Sequence, residues 1–120
     1  MRGFVGTGDE VLIGGIVVRG TAPEQVLFRA LGPDLGNSRT ANPLVDPVLE
    51  IRDNNGMRVA SNDNWRDSPG ADEISSLNLT PDSEMDAALL LTLAPGNYTA
   101  IVRDAAGSTG VAQLETYELR

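Results

Sequence analysis

The chain of 120 residues contains no cysteine, no histidine and no lysine. The missing cysteine excludes disulfides, thiol catalysis and thiolate metal centres. The missing histidine removes the commonest general base and the commonest transition-metal ligand. With no lysine, every positive side chain is an arginine, so Schiff-base chemistry and the phosphate-binding lysine of nucleotide loops are also excluded. Aromatics are scarce, with one Trp, two Tyr and two Phe, so no platform for stacking sugars is evident. The charge is one-sided, at a formal −8 with no basic run. Nucleic acid and anionic membrane surfaces are therefore repelled, and divalent cations are the natural counter-ions. No apolar run is long enough to span a bilayer, so membrane insertion is not expected. A chain of this size forms one domain and buries roughly two thirds of its unfolded surface without a staple.

What is present is the pattern of an antiparallel β protein. Leu49 and Ile51 alternate with Glu50 and Arg52, and Asn55-Gly56 offers the positive φ angles of a tight hairpin turn. Val59 and Ala60 lead the return strand into Ser61-Asn62-Asp63-Asn64, closed by Trp65, which is expected in the core. Val11 to Arg19 is a β-branched run whose Gly14-Gly15 predicts a bulge or a bend between sheets. Gln25 to Leu31 puts Val26, Phe28 and Ala30 on one face and ends at Gly32-Pro33. A polar loop is expected from Asp34 to Asn42. Short helical turns are predicted between residues 70 and 88, one at Asp72-Glu73-Ile74 and one capped by Thr80-Pro81-Asp82-Ser83-Glu84. Ala87 to Leu93 is apolar on both faces, as a fully covered strand would be. Tyr98, Ala100 and Val102 alternate with Asn97, Thr99, Ile101 and Arg103. A loose loop at Asp104–Gly110 leads to a last strand, Val111 to Leu119. Many short strands with turns between them imply a single β-sandwich or jelly roll over residues 1–120. Residues 1–8 form an extended N-terminal strand able to pair with a neighbour. Met1 runs into that strand with no leader, so either a leader has been removed or the domain belongs to a longer chain.

Few residues suggest chemistry. Asn62-Asp63-Asn64 with Asp67 places side-chain and backbone oxygens within one short loop, the donor set of a hard cation such as calcium. The competing reading is that these residues cap turns by bonding their own backbone. Asp53-Asn54-Asn55-Gly56 resembles the start of an EF-hand loop but lacks the downstream bidentate Glu, and the hairpin accounts for it. Gly6-Thr7-Gly8 lacks the lysine and helix of a phosphate cradle and is a connection. Arg29, on an apolar strand, is expected to pair with Asp46 or Asp63 and tie the strand to the hairpin. Asn78-Leu79-Thr80 and Asn97-Tyr98-Thr99 are glycosylation triplets that chance also supplies, and Thr99, Ser108 and Thr109 are candidate O-linked positions. Paired carboxylates occur as in any acidic chain, and no enzyme is expected.

The hairpin ending in Asn62-Asp63-Asn64-Trp65, together with Leu93-Ala94-Pro95-Gly96-Asn97-Tyr98-Thr99, resembles the bacterial pre-peptidase C-terminal domains. Arg2-Gly3-Phe4-Val5-Gly6-Thr7-Gly8, Leu12-Ile13-Gly14-Gly15 and Arg29-Ala30-Leu31-Gly32-Pro33 resemble an uncharacterised module found near the ends of large exported bacterial proteins. The resemblance implies a small secreted sandwich appended to proteases and other exported proteins, and no reaction. It also implies calcium bound by carboxylates at strand ends in some members, for which Asp46, Asp53, Asn62, Asp63 and Asp67 are the positions here.

Three functions compete. The first is a non-enzymatic subunit of an extracellular or cell-surface fibre, assembling head-to-tail by strand exchange through Phe4, Val5, Val11 and Ile13. The second is a passive or adhesive module of a larger secreted enzyme. The third is a calcium-dependent carbohydrate-binding domain, which requires Trp65 or Tyr117 exposed beside the metal. The first is preferred, because the chain reads as a complete single-domain unit.

Overall fold

The computed structural model describes residues 1–38 and 41–119. Two four-stranded sheets with antiparallel ladders pack face to face. One runs β1 (Arg2–Val5), β8 (Gly110–Glu118), β3 (Glu24–Leu31), β6 (Ala87–Leu93). The other runs β2 (Leu12–Val18), β7 (Gly96–Asp104), β4 (Pro47–Arg52), β5 (Arg58–Asn62). Side-chain alternation decides what lies between them. Val26, Phe28 and Ala30 of β3, with Leu89 and Leu114, meet Leu49, Ile51, Ala100 and Val102 from the opposite sheet. This is the all-β antiparallel sandwich expected from the strand pattern.

The first sheet has a second apolar face. Leu27, Ala88, Leu90, Tyr117 and Leu119 point away from the main core, and the segment after β5 folds over them. That segment carries a 3₁₀ turn at Trp65–Asp67 and helix α1 at Ala71–Ser76. Six residues are too few for a helix to stand alone, so α1 is held by burying Ile74. Asn78, at φ 62°, takes the left-handed position that ends the helix. Burying Leu27, Trp65 and Ile74 contributes about 1.5–3 kcal/mol per side chain. The first sheet is thus covered on both faces. No described helix packs on the outside of the second, the open sheet.

Several local expectations are corrected. β2 keeps one register against β7 from Leu12 to Val18, with no bulge or change of sheet. Gly14 serves packing instead, since a Cβ there would lie 2.7 Å from Leu114 Cδ2. No helix forms at Thr80–Glu84. Pro81 is buried there and the Leu79 carbonyl is taken by Arg29, so the chain is tied down in bends and turns. Pro33–Ser38 is a 3₁₀ helix where a polar loop was expected, and residues 39 and 40 of that stretch lie outside the described residues. In the hairpin only Gly56 has positive φ, at 79°. The Asp53 carboxylate accepts from the Asn55 and Met57 amides, and the register shifts by one residue at Arg52, so a bulge absorbs the twist.

Candidate functional site

The acidic corner lies where β4 begins and β5 and β7 end. The Asp46 amide donates to Asp104 Oδ1 at 3.0 Å, and the Asp46 carbonyl accepts from Ala105 N at 2.8 Å. Asp104 Oδ2 accepts from the amides of Ala106 and Ser108, both at 3.0 Å, so this carboxylate shapes the β7–β8 turn. Burial pushes the Asp46 carboxyl up to about 6, and hydrogen bonding to Asp63 and the charges of Asp63 and Asp104 add to the rise. Asp46 Oδ1 is buried without a hydrogen-bond partner. Burial and the neighbouring carboxylates thus favour the protonated form of Asp46.

The six candidate calcium ligands are not all free to meet at one point. Asn62 is consumed by the fold: its Oδ1 accepts from Ala88 N at 3.0 Å and its Nδ2 donates to the Asn64 carbonyl at 2.9 Å, tying β5 to β6. Asp67 is exposed and, with Asn64, Arg66, Glu84 and Met85, lines a separate shallow depression of about 300 Å³. Asp53 is spent on its own turn. Asp46, Asp63 and the buried Asn64 Oδ1 remain, short of the six to eight oxygens calcium takes. Among the described residues no group of three acidic side chains is placed to hold a metal.

Arg29 pairs neither with Asp46 nor with Asp63. It lies on the covered face of the first sheet, where its guanidinium meets Glu115 Oε1, donates to Tyr117 Oη at 3.1 Å and donates to the Leu79 carbonyl at 3.0 Å. Burial alone would raise Glu115; bonding to Arg29, with further bonds from Gln113 and Tyr117, outweighs it and holds the carboxyl below its ordinary value. Burial raises the Tyr117 phenol, and its bond to Glu115 raises it further. The cluster fastens the cover to β3 and β8. It is structural, as expected of Arg29, with a different partner.

A polar cluster that the sequence reading missed sits on the open sheet. Glu50 is 9% exposed, and its carboxylate lies 2.9 Å from Arg52 Nε, 3.7 Å from Arg103 Nη2 and 3.8 Å from Arg58 Nη1. Three guanidiniums share one carboxylate, so an acidic molecule carries a positive patch there. The alternation Glu50-x-Arg52 shows which way these side chains point. Only the cross-strand register brings Arg58 and Arg103 to them.

The remaining candidates are dispersed. Trp65 is buried, with Arg66 stacked 5.1 Å from its ring centroid, and Tyr117 is half-buried in the cover, so neither offers a sugar platform. Asn97 is exposed opposite Val17, Thr99 is half-buried opposite Gly15, and Asn78 is the helix terminus. Phe4 and Ile13 are exposed on edge strands of different sheets, Val11 is half-buried, and Val5 is fully buried in its own core. The N-terminal strand pairs with β8 of its own chain, Arg2 opposite Gln113 through Val5 opposite Gly110.

Solved structures supply the comparison that decides the architecture. The pre-peptidase C-terminal domain of a collagenase from Bacillus anthracis matches with a TM-score of 0.60, over 98% of this chain and 86% of that one. The fold is PPC-like. Identity is 12%, so the likeness extends to the architecture and to no individual residue. No family model matches the sequence, and no curated protein matches it. Within the PPC-like frame, Asn62, Asp104, Arg29 and Glu115 are engaged in bonds that hold elements together.

Proposed function

We propose that this chain is a non-catalytic, extracellular accessory module of a larger protein, passive or adhesive in role. The observation that carries the reading is the end-to-end likeness to a domain that is itself one part of a collagenase. The site geometry supports it: Asn62 and Asp104 are committed to backbone amides, and Arg29 is committed to Glu115. Self-assembly by donating the N-terminal strand is the weaker reading, because β1 lies in its own sheet with Val5 in the core.

The test is to incubate the purified chain with insoluble collagen, chitin and cellulose and with soluble peptide and glycoside substrates. The expected result is no turnover of any substrate, with or without retention on a polymer. Turnover that is lost on Asp46→Asn would overturn the proposal.

A further inference from the structure

One corner of the sandwich is a strand short. β1 pairs with β8 only from Gly110 to Gln113, and Met1 adds a reciprocal pair of backbone bonds to Leu114 at 2.7 and 2.8 Å. β8 itself continues to Glu118, paired on its other side with β3 throughout. In an antiparallel ladder successive residues turn their amide and carbonyl to opposite neighbours. Leu114 faces the β1 side, so Thr116 and Glu118 face it too, and there no described strand meets them.

The space beside that edge is built from the core. A slot of about 120 Å³ is lined by Gly14, Ile16, Phe28, Ala100, Leu114 and Thr116. It lies next to a wider depression of about 670 Å³ lined by Val17, Arg19, Glu24 and Glu118, among others. Phe28 and Ala100 are among the most buried side chains of the molecule, so the slot opens directly onto the main core. A helix cannot satisfy a strand edge, and the one aromatic in this lining, Phe28, is fully buried and offers a sugar no stacking face. One ligand class meets both the unpaired backbone and the apolar floor: an extended polypeptide.

We propose that this corner accepts one extended peptide strand, antiparallel to β8 and collinear with β1, with small or β-branched apolar side chains at alternate positions. The register is fixed by what is already bound. Gly3 and Val5 point inward while Arg2 and Phe4 point outward, and Met1 lies inward beside Gly14. Counting back from Met1, the second residue of such a strand faces the slot, opposite Thr116, and the fourth faces the wider depression, opposite Glu118. The first and third face solvent.

The test supplies the strand at high effective concentration by adding Val-Thr-Val-Thr directly before Met1. The control adds Thr-Val-Thr-Val, a slip of one residue that turns both valines to solvent. Amide exchange at Thr116 and Glu118 is read by NMR, beside the thermal midpoint. The first extension is expected to slow both amides by at least about tenfold and to raise the midpoint, while the control does neither. Thr116→Pro removes the edge amide without touching the ladder to β3 and is expected to cancel the gain. Its own midpoint without the extension shows that it still folds. Equal exchange with both extensions, or a gain that survives Thr116→Pro, would overturn the proposal. Neither result bears on whether the module is catalytic.

Discussion

Asp86 is expected to stabilise the molecule less at neutral pH than at mildly acidic pH. Its side chain is fully buried, Oδ1 accepts from Gly32 N at 2.8 Å, and Oδ2 has no hydrogen-bond partner. Burial is the main reason that the carboxyl rises from 3.8 to about 6. The charge of Asp34 adds to the rise, and backbone amides, that of Gly32 foremost, oppose it. A folded-state value above the unfolded one means that the folded protein holds the proton more tightly. The stabilisation is complete below the unfolded value near 3.8 and is lost as pH rises through about 6. That interval corresponds to about 3 kcal/mol at most, a large share of the stability of a domain this size. Asp86→Asn keeps the acceptor for Gly32 and removes the titration. Its amide group carries a cost of its own, about 1–3 kcal/mol for an unmet donor, but that cost is independent of pH. The stability of the variant relative to the parent is therefore expected to improve by about 2.5 kcal/mol between pH 4 and 7.5, whatever its absolute value. Urea denaturation followed by the fluorescence of Trp65, whose amide donates to the Asp86 carbonyl, measures this at each pH. A difference that stays flat across the range, or one that favours the parent as pH rises, would refute the reasoning.

Three further outcomes follow from the same structure. Arg29→Met leaves Glu115 half-buried and uncompensated, and is expected to cost about 2–3 kcal/mol in urea denaturation, with Arg29→Met/Glu115→Gln recovering part of the loss. Gly32→Ala would place a Cβ 2.2 Å from the Leu44 carbonyl oxygen, so backbone must move and soluble yield or thermal midpoint should fall sharply; an unchanged midpoint would contradict the crossing of these two segments. Because no group of three acidic side chains among the described residues is placed to hold a metal, chelation is expected to leave the thermal midpoint at pH 7.5 unchanged, and a fall of several degrees would put a cation at the acidic corner.

The sandwich was legible in the sequence because its strands follow period-two alternation around unmistakable turns. Val26, Phe28 and Ala30 face the core as their spacing says, and so do Leu49 and Ile51. What escaped was whatever depends on register between distant strands. Arg29 was assigned an aspartate on the hairpin, and its partner is Glu115, because which strand lies beside β3 is decided by topology and not by local pattern. The grouping around Glu50 was hidden for the same reason. The acidic corner misled differently. Asn and Asp serve as turn acceptors and as metal ligands with the same atoms, and here Asn62, Asp53 and Asp104 had already spent theirs on backbone amides. The helical turn expected at Thr80 failed because cap signals act only where the chain is free to coil, and Arg29 holds that segment at Leu79.

The pairing of β1 with β8 has a consequence for biosynthesis. Residues 2–5 wait for residues 110–113, and β3 has its β8 neighbour only when residues 113–118 arrive. An inner strand of the first sheet is therefore the last of the eight strands to be synthesised. Until then the emerging polypeptide lacks the partner that joins its first strand to its third, and loop-closure entropy works against any early commitment. The folded form of the sheet is available only once residues 110–118 have emerged.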